Sequence, residues 1–155
     1  MLSGLELISL EKIAHRAGSG IQCDDLIARW FLRDLWSKDG SSAVPGIVFL
    51  LRTLHASLIL SDAEDDSLKI TNQISIGALR LQFRGSANLK GRLPLLQFSF
   101  ESVELILAGK KLLTWYLPQN TIKQRPFFAL IAVDREKGWL AARGQSGTLG
   151  LWFTG

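Results

Sequence analysis

The sequence predicts a mainly β protein: about eight to ten antiparallel strands closing into a barrel, preceded by one short N-terminal α-helix. Three observations carry this. Residues 79–90, LRLQFRGSANLK, alternate strictly: Leu79, Leu81, Phe83, Gly85, Ala87 and Leu89 share one face, and Arg80, Gln82, Arg84, Ser86, Asn88 and Lys90 the other. That period of two marks a half-buried strand with a basic outer face. Similar short runs recur with turn residues between them, and a meander of that kind closes into a barrel to remove exposed edges. Before them, Ser3-Gly4-Leu5-Glu6 fits a capping box, in which Ser and Glu satisfy each other's orphan amides at a helix start.

The predicted helix runs to about Ala17 with Leu5, Ile8 and Ile13 on its apolar face, and Gly18-Ser19-Gly20 stops it. Residues 1–20 form the helix and its turn, and residues 24–153 the barrel. Strands are expected at Arg29–Trp36, across Ile47–Leu60, and at Leu68–Ile76, where Asn72 takes an otherwise apolar inward position. Further strands follow at 79–90, Pro94–Phe100, Val103–Leu107, Leu112–Leu117, Phe127–Val133, Trp139–Arg143 and Thr148–Phe153. A buried Asn72 needs a partner inside or a place near the barrel mouth.

At 155 residues the chain is most simply one domain, and 47% hydrophobic against 21% charged residues places it among globular proteins. Five tryptophans and eight phenylalanines against one tyrosine make its aromatic content unusually apolar, which calls for a core, a ligand cavity or a membrane-facing surface. The richest apolar stretch, GIVFLLRTLHASLIL, is broken by Arg52 and His55, short of the roughly 20 residues of a spanning helix. Glu6 and Glu11 argue against a signal or transit peptide. A single cysteine, Cys23, excludes an internal disulfide and a zinc site of several thiolates, which favours a reducing compartment. Four of the 14 acidic residues sit in SDAEDD (residues 61–66), read as a solvated turn, so the remainder, with its 18 lysines and arginines, is clearly basic.

Chemistry is sparse. Residues 138–150 hold four glycines around Arg143, but no Walker lysine, no strand–glycine–helix context and no nucleophile elbow. Gly144–Gly147 therefore reads as a hairpin turn between two strands. His15 and His55 are the only histidines; a Cys23–His55 pair lacks any local signature. SDAEDD lacks calcium-loop spacing, and the basic face of 79–90 lacks the interleaved aromatics of a nucleic-acid platform, so nucleic acid is disfavoured. The sequence nominates no catalytic residue and no metal ligand set.

Four segments in order resemble the plastid-lipid-associated proteins, or plastid fibrillins: DLIARWFLRDLW, LKITNQISIGALRLQFRGSANL, PLLQFSFESVEL and GWLAARGQSGTLGLWF. In that family Leu-x-Gly-x-Trp opens the barrel, and Leu26, Ala28 and Trp30 hold those places, with Ala for Gly. Asn72 and Gly77 match the middle block, Leu95–Phe100 the next strand, and Trp139, Leu140, Arg143 and Gly144 a shortened closing segment. The resemblance implies a lipocalin-like barrel, without enzymatic activity, that binds a lipid, carotenoid or other isoprenoid, or associates peripherally with photosynthetic membranes. It suits a cyanobacterial member or mature plastid chain, cytoplasmic or thylakoid-associated, with no transmembrane segment. Interior ligand candidates are Trp30, Asn72, Leu79, Leu81, Phe83, Phe98, Phe100 and Arg143. Two alternatives stay open. One is a phycobilin lyase holding a bilin near Arg33, Arg52 and Glu101. The other is an assembly scaffold for a photosynthetic complex, docking through Trp115-Tyr116, Lys110-Lys111 and Trp152.

Overall fold

The computed structural model describes residues 2–64, 67–91, 94–118 and 125–155. It is mainly β: nine antiparallel strands form one large sheet that curves in a ring. Helix α1 (Gly4–Ala17) comes first, followed by the single turn α2 (Cys23–Leu26), strand β1 (Ala28–Trp36) and helix α3 (Pro45–Thr53). Strands β2 (Ser57–Glu64), β3 (Ser67–Ile76), β4 (Leu79–Lys90), β5 (Leu95–Leu107), β6 (Lys110–Tyr116), β7 (Phe127–Asp134), β8 (Trp139–Gly144) and β9 (Leu149–Thr154) complete the chain.

The predicted capping box is present: the Glu6 amide donates to Ser3 Oγ at 3.3 Å and the Ser3 amide to Glu6 Oε2 at 2.6 Å. Gly18, at φ 80°, ends α1 by donating to the Ala14 carbonyl at 2.8 Å. The buried face, however, is Gly4, Leu7 and Ala14 with Glu11 between them, while Leu5 and Ile13 are exposed. A spacing of three and four residues selects that row, which the larger apolar side chains do not follow. α1 lies on the outside of the ring, where Leu7 packs with Ile131, Ala141, Leu149 and Leu151.

The expected strand across residues 47–60 is a helix followed by a strand. Pro45 begins α3, a position where a missing amide costs nothing. Leu54 then donates to the Leu50 carbonyl at 3.0 Å, and Thr53 Oγ1 to that of Phe49 at 2.9 Å. Likewise Ser61–Glu64 of SDAEDD belong to β2 rather than a turn, and Asp65 and Asp66 lie outside the described residues.

The ring closes through β1–β2–β3–β4–β5–β7–β8–β9 and back to β1. β5 does double duty. Leu95–Gln97 pair with β7, whereas Ser102–Leu107 pair with β6, which continues the sheet beyond the closed part. Segments expected as two strands, 94–100 and 103–107, are thus one strand with a bulge opposite Arg84/Gly85. Only glycine fits at 85, because a Cβ there would fall on the Ser99 carbonyl oxygen.

Inside the ring, Trp30, Leu60, Leu68, Ile70, Ala87, Leu89, Leu96, Leu130, Leu140 and Ala142 form the core. Ile21, Cys23 and Leu26 join it, so α2 closes the end where β3 begins and β4 finishes. This interior is closely packed: the gap among Leu60, Leu96, Leu130, Leu140 and Trp152 amounts to about 10 Å³, room for one water at most. Among the described residues, no helix is long and apolar enough to cross a membrane.

Candidate functional site

With the middle packed, open space lies at the other end. Above Gln97, β5 parts from β7 to meet β6, and β1 parts from β2, whose pairing begins at Trp30–Leu58. A cup of about 190 Å³ forms there, lined by Trp30, Leu32, Ala56, Ser57, Leu58, Asn72, Phe128 and Trp152. Period-two alternation places these side chains: Trp30 and Leu32 on β1, Leu58 on β2, Asn72 on β3, Phe128 on β7 and Trp152 on β9. The Trp30 indole N–H donates to the Leu26 carbonyl at 2.8 Å, which fixes the ring at the base of the cup. Trp152 lies flat over its own strand because Gly150 has no side chain; a Cβ there would sit 2.5 Å from the indole.

An unbroken series of aromatic contacts runs from the cup outwards. Trp152 meets Phe128 edge-on (centroids 5.6 Å), Phe128 stacks on Phe98 (5.4 Å), Phe98 meets Phe100 (5.6 Å) and Phe100 meets Phe83 (5.7 Å). All five rings are half-buried. Polarity in the cup is confined to Ser57, which accepts from Arg29 Nε at 3.2 Å, and to Asn72. The Asn72 amide makes no hydrogen bond to another described residue, so an apolar wall carries one free donor–acceptor group.

Of the sequence-predicted site residues, Trp30 and Asn72 line the cup, and Phe98, Phe100 and Phe83 extend its wall. Leu79 and Leu81 share the inward-facing side of β4 but stand on a lip above the packed ring. Arg143 is not in the interior. Its guanidinium lies on the outer face and donates to Glu11 Oε2 and Oε1 (both 2.7 Å), to the Lys38 carbonyl (2.9 Å) and to the Gly147 carbonyl (2.6 Å). It fastens α1 to the β8–β9 hairpin, a structural role. That hairpin is formed as expected, with the Gly147 amide donating to the Gly144 carbonyl at 2.9 Å.

The lyase candidates are dispersed: Arg33 sits over the Phe153 ring at 4.6 Å and 3.8 Å from Asp34, and Glu101 is exposed in the β5 bulge. The Arg52 side chain lies outside the described residues. Of the aromatic–basic patch, Trp115, Tyr116, Lys110 and Lys111 are exposed together on β6, but Trp152 belongs to the cup. Among the described residues no cluster of His, Cys, Asp or Glu could hold a metal ion.

Sequence reasoning missed Leu32, Ala56, Leu58 and Phe128 as cup residues; FFALIAVD is apolar at seven consecutive positions, so no alternation marks the face that Phe128 takes. It also missed a polar row on the outer face. Gln73, Gln82 and Glu104 stand opposite one another on β3, β4 and β5, and all three are buried. Gln82 Nε2 donates to Gln73 Oε1 at 2.8 Å, and Glu104 lies between Lys111 Nζ (3.1 Å) and Arg84 Nε (3.5 Å). No family model, no curated protein and no solved structure matches this chain.

Proposed function

We propose that this chain is a non-enzymatic, lipocalin-like barrel that binds the end of a lipid, carotenoid or other isoprenoid chain at its open end. The observation that carries this reading is the cup itself: half-buried aromatic walls, a fixed tryptophan floor and a single unpaired amide at Asn72. Ligand pockets have this make-up, mostly apolar with a few polar groups that fix orientation. Its 190 Å³ lies below the roughly 300 Å³ at which whole-ligand pockets begin, so it suits one chain end rather than an engulfed molecule. The resemblance to plastid-lipid-associated proteins supports the same class of ligand.

Titration with cis-parinaric acid, a fluorescent fatty acid, tests the reading. Saturable binding is expected, weakened at least tenfold by Ala56→Trp, which fills the cup from its exposed side. Absence of saturable binding, or equal binding by the folded Ala56→Trp variant, would refute it.

A further inference from the structure

From the one unpaired polar group in the cup, we infer that the ligand enters by an uncharged, oxygen-bearing end, a hydroxyl or carbonyl, and that Asn72 selects it. The inward positions of β3 are Leu68, Ile70, Asn72, Ile74 and Ile76, so an amide interrupts an otherwise aliphatic row. Its cross-strand neighbours on that face are Leu58 on β2 and Phe83 on β4. Neither can bond it, no other described residue does, and the side chain is half-buried. Asparagine is disfavoured in strands and Leu or Ile would continue the row, so the use of an amide here lies outside the packing of β3. Ser57, the other polar residue of the lining, alternates with Leu58. Its Oγ accepts from Arg29 on the outer side, where that guanidinium lies over the Phe31 ring at 5.7 Å. Asn72 is the lining side chain left with unused donors and an unused acceptor.

The end group follows from what can be paired there. No charged residue lines the cup. A carboxylate or phosphate drawn in would give up its water for one neutral amide, and a buried anion without a counter-charge is costly. A methyl end would cover the Asn72 amide and leave its donors and acceptor with neither water nor partner, which also costs free energy. A hydroxyl or carbonyl avoids both losses, because a primary amide donates through its NH2 and accepts through its oxygen. The apolar remainder of the end group then meets Trp30, Phe128 and Trp152. The inference rests on the cup being a ligand site and adds the chemistry of the end it receives.

The test is displacement of cis-parinaric acid from the full chain by palmitic acid, 16-hydroxypalmitic acid and hexadecanedioic acid. All share one carboxylate, which stays in water, and they differ at the far end: methyl, hydroxyl and a second carboxylate. The hydroxyl-ended acid should compete best, palmitic acid several-fold less well, and the diacid weaker than the hydroxy acid by roughly tenfold or more. In Asn72→Leu the advantage of hydroxyl over methyl should fall by roughly tenfold and reverse. That variant completes the aliphatic row, so it should melt no lower than the wild type, which verifies its fold. Palmitic acid or the diacid competing as well as the hydroxy acid against the wild type would overturn the inference, as would an unchanged hydroxyl-to-methyl ratio in Asn72→Leu. The wild-type ranking needs no variant and decides by itself if Asn72→Leu does not fold. Should cis-parinaric acid bind while the ranking fails, the end-group inference falls and the cup reading stands; should cis-parinaric acid not bind, both fall.

Discussion

Replacing Arg143 with alanine separates a structural clamp from a ligand contact. The guanidinium makes four hydrogen bonds to three places: two to Glu11 on α1, one to the Lys38 carbonyl after β1, one to Gly147 in the β8–β9 turn. Breaking a fully buried ion pair costs about 3–5 kcal/mol because the partner charge is left desolvated. Here the side chains are 19% and 14% exposed, so water recovers part of that loss. About 2–3 kcal/mol is the expected cost, or roughly 4–12 °C in Tm for a chain of this length. Hydrogen bonding to Glu11 holds the Arg143 pKa above its ordinary value. A raised pKa stabilises below the unfolded value and is lost only as pH rises through the folded one. For arginine that window is strongly alkaline, so the effect of the substitution should be constant across neutral pH. Glu11→Ala belongs in the same thermal-melt series, and the pair should couple by more than about 1 kcal/mol in a double-mutant cycle. Lysine at 143 should recover less than half, since one ammonium cannot reach three separate acceptors. An Arg143→Ala melt within a degree of wild type, additivity with Glu11→Ala, or loss of cis-parinaric acid binding would each refute the clamp.

Gly150→Ala should push the Trp152 indole off its strand, costing about 1–3 kcal/mol as overpacking and weakening fatty-acid binding together. Near-UV circular dichroism and titration check it, and an unperturbed tryptophan signal would count against the geometry. Asp39 is held down to about 2, first by the Ser37 hydroxyl and then by Ser41. A depressed carboxylate stabilises above its unfolded pKa and loses that contribution as pH falls through the folded one. Asp39→Asn should therefore be less stable than wild type above about pH 4, the gap in urea midpoints closing towards pH 2. A gap that stays constant over that range would contradict the assignment.

Much of the ring could be read from local pattern because its chemistry is local. The strand at 79–90 buries Ala87 and Leu89 and exposes Arg84 and Lys90, as its alternation requires. A capping box and a glycine hairpin need only neighbours in sequence. α3 was hidden because GIVFLL is apolar at every position, so no period distinguishes helix from strand. The partner of Arg143 lies 132 residues away, and nothing in the segment around Arg143 announces Glu11. The cup was half legible: Trp30, Asn72, Phe98 and Phe100 follow from strand parity. That Phe128 and Trp152 complete it depends on where β5 changes partner, a long-range choice that single-strand patterns do not encode.

That change of partner also accounts for the open end. A closed antiparallel ring of this size fills itself with side chains, as the 10 Å³ residue of space among Leu60, Leu96 and Leu130 shows. By leaving β7 after Gln97, β5 keeps Phe98 and Phe100 on the inward side, and among the described residues no strand closes over them. An isolated four-stranded lip with apolar rows on one face would ordinarily fold over to bury them. Buried polar contacts across its other face oppose this: Gln73 to Gln82, then Glu104 to Arg84 and Lys111, tie β3 to β6 in register. Bending the lip would strain those contacts, and Glu104, whose buried Oε2 already has no hydrogen-bond partner, would lose the cations that offset its charge. The apolar surface is thus held open before any ligand arrives, and a preformed surface binds without first having to order its own side chains.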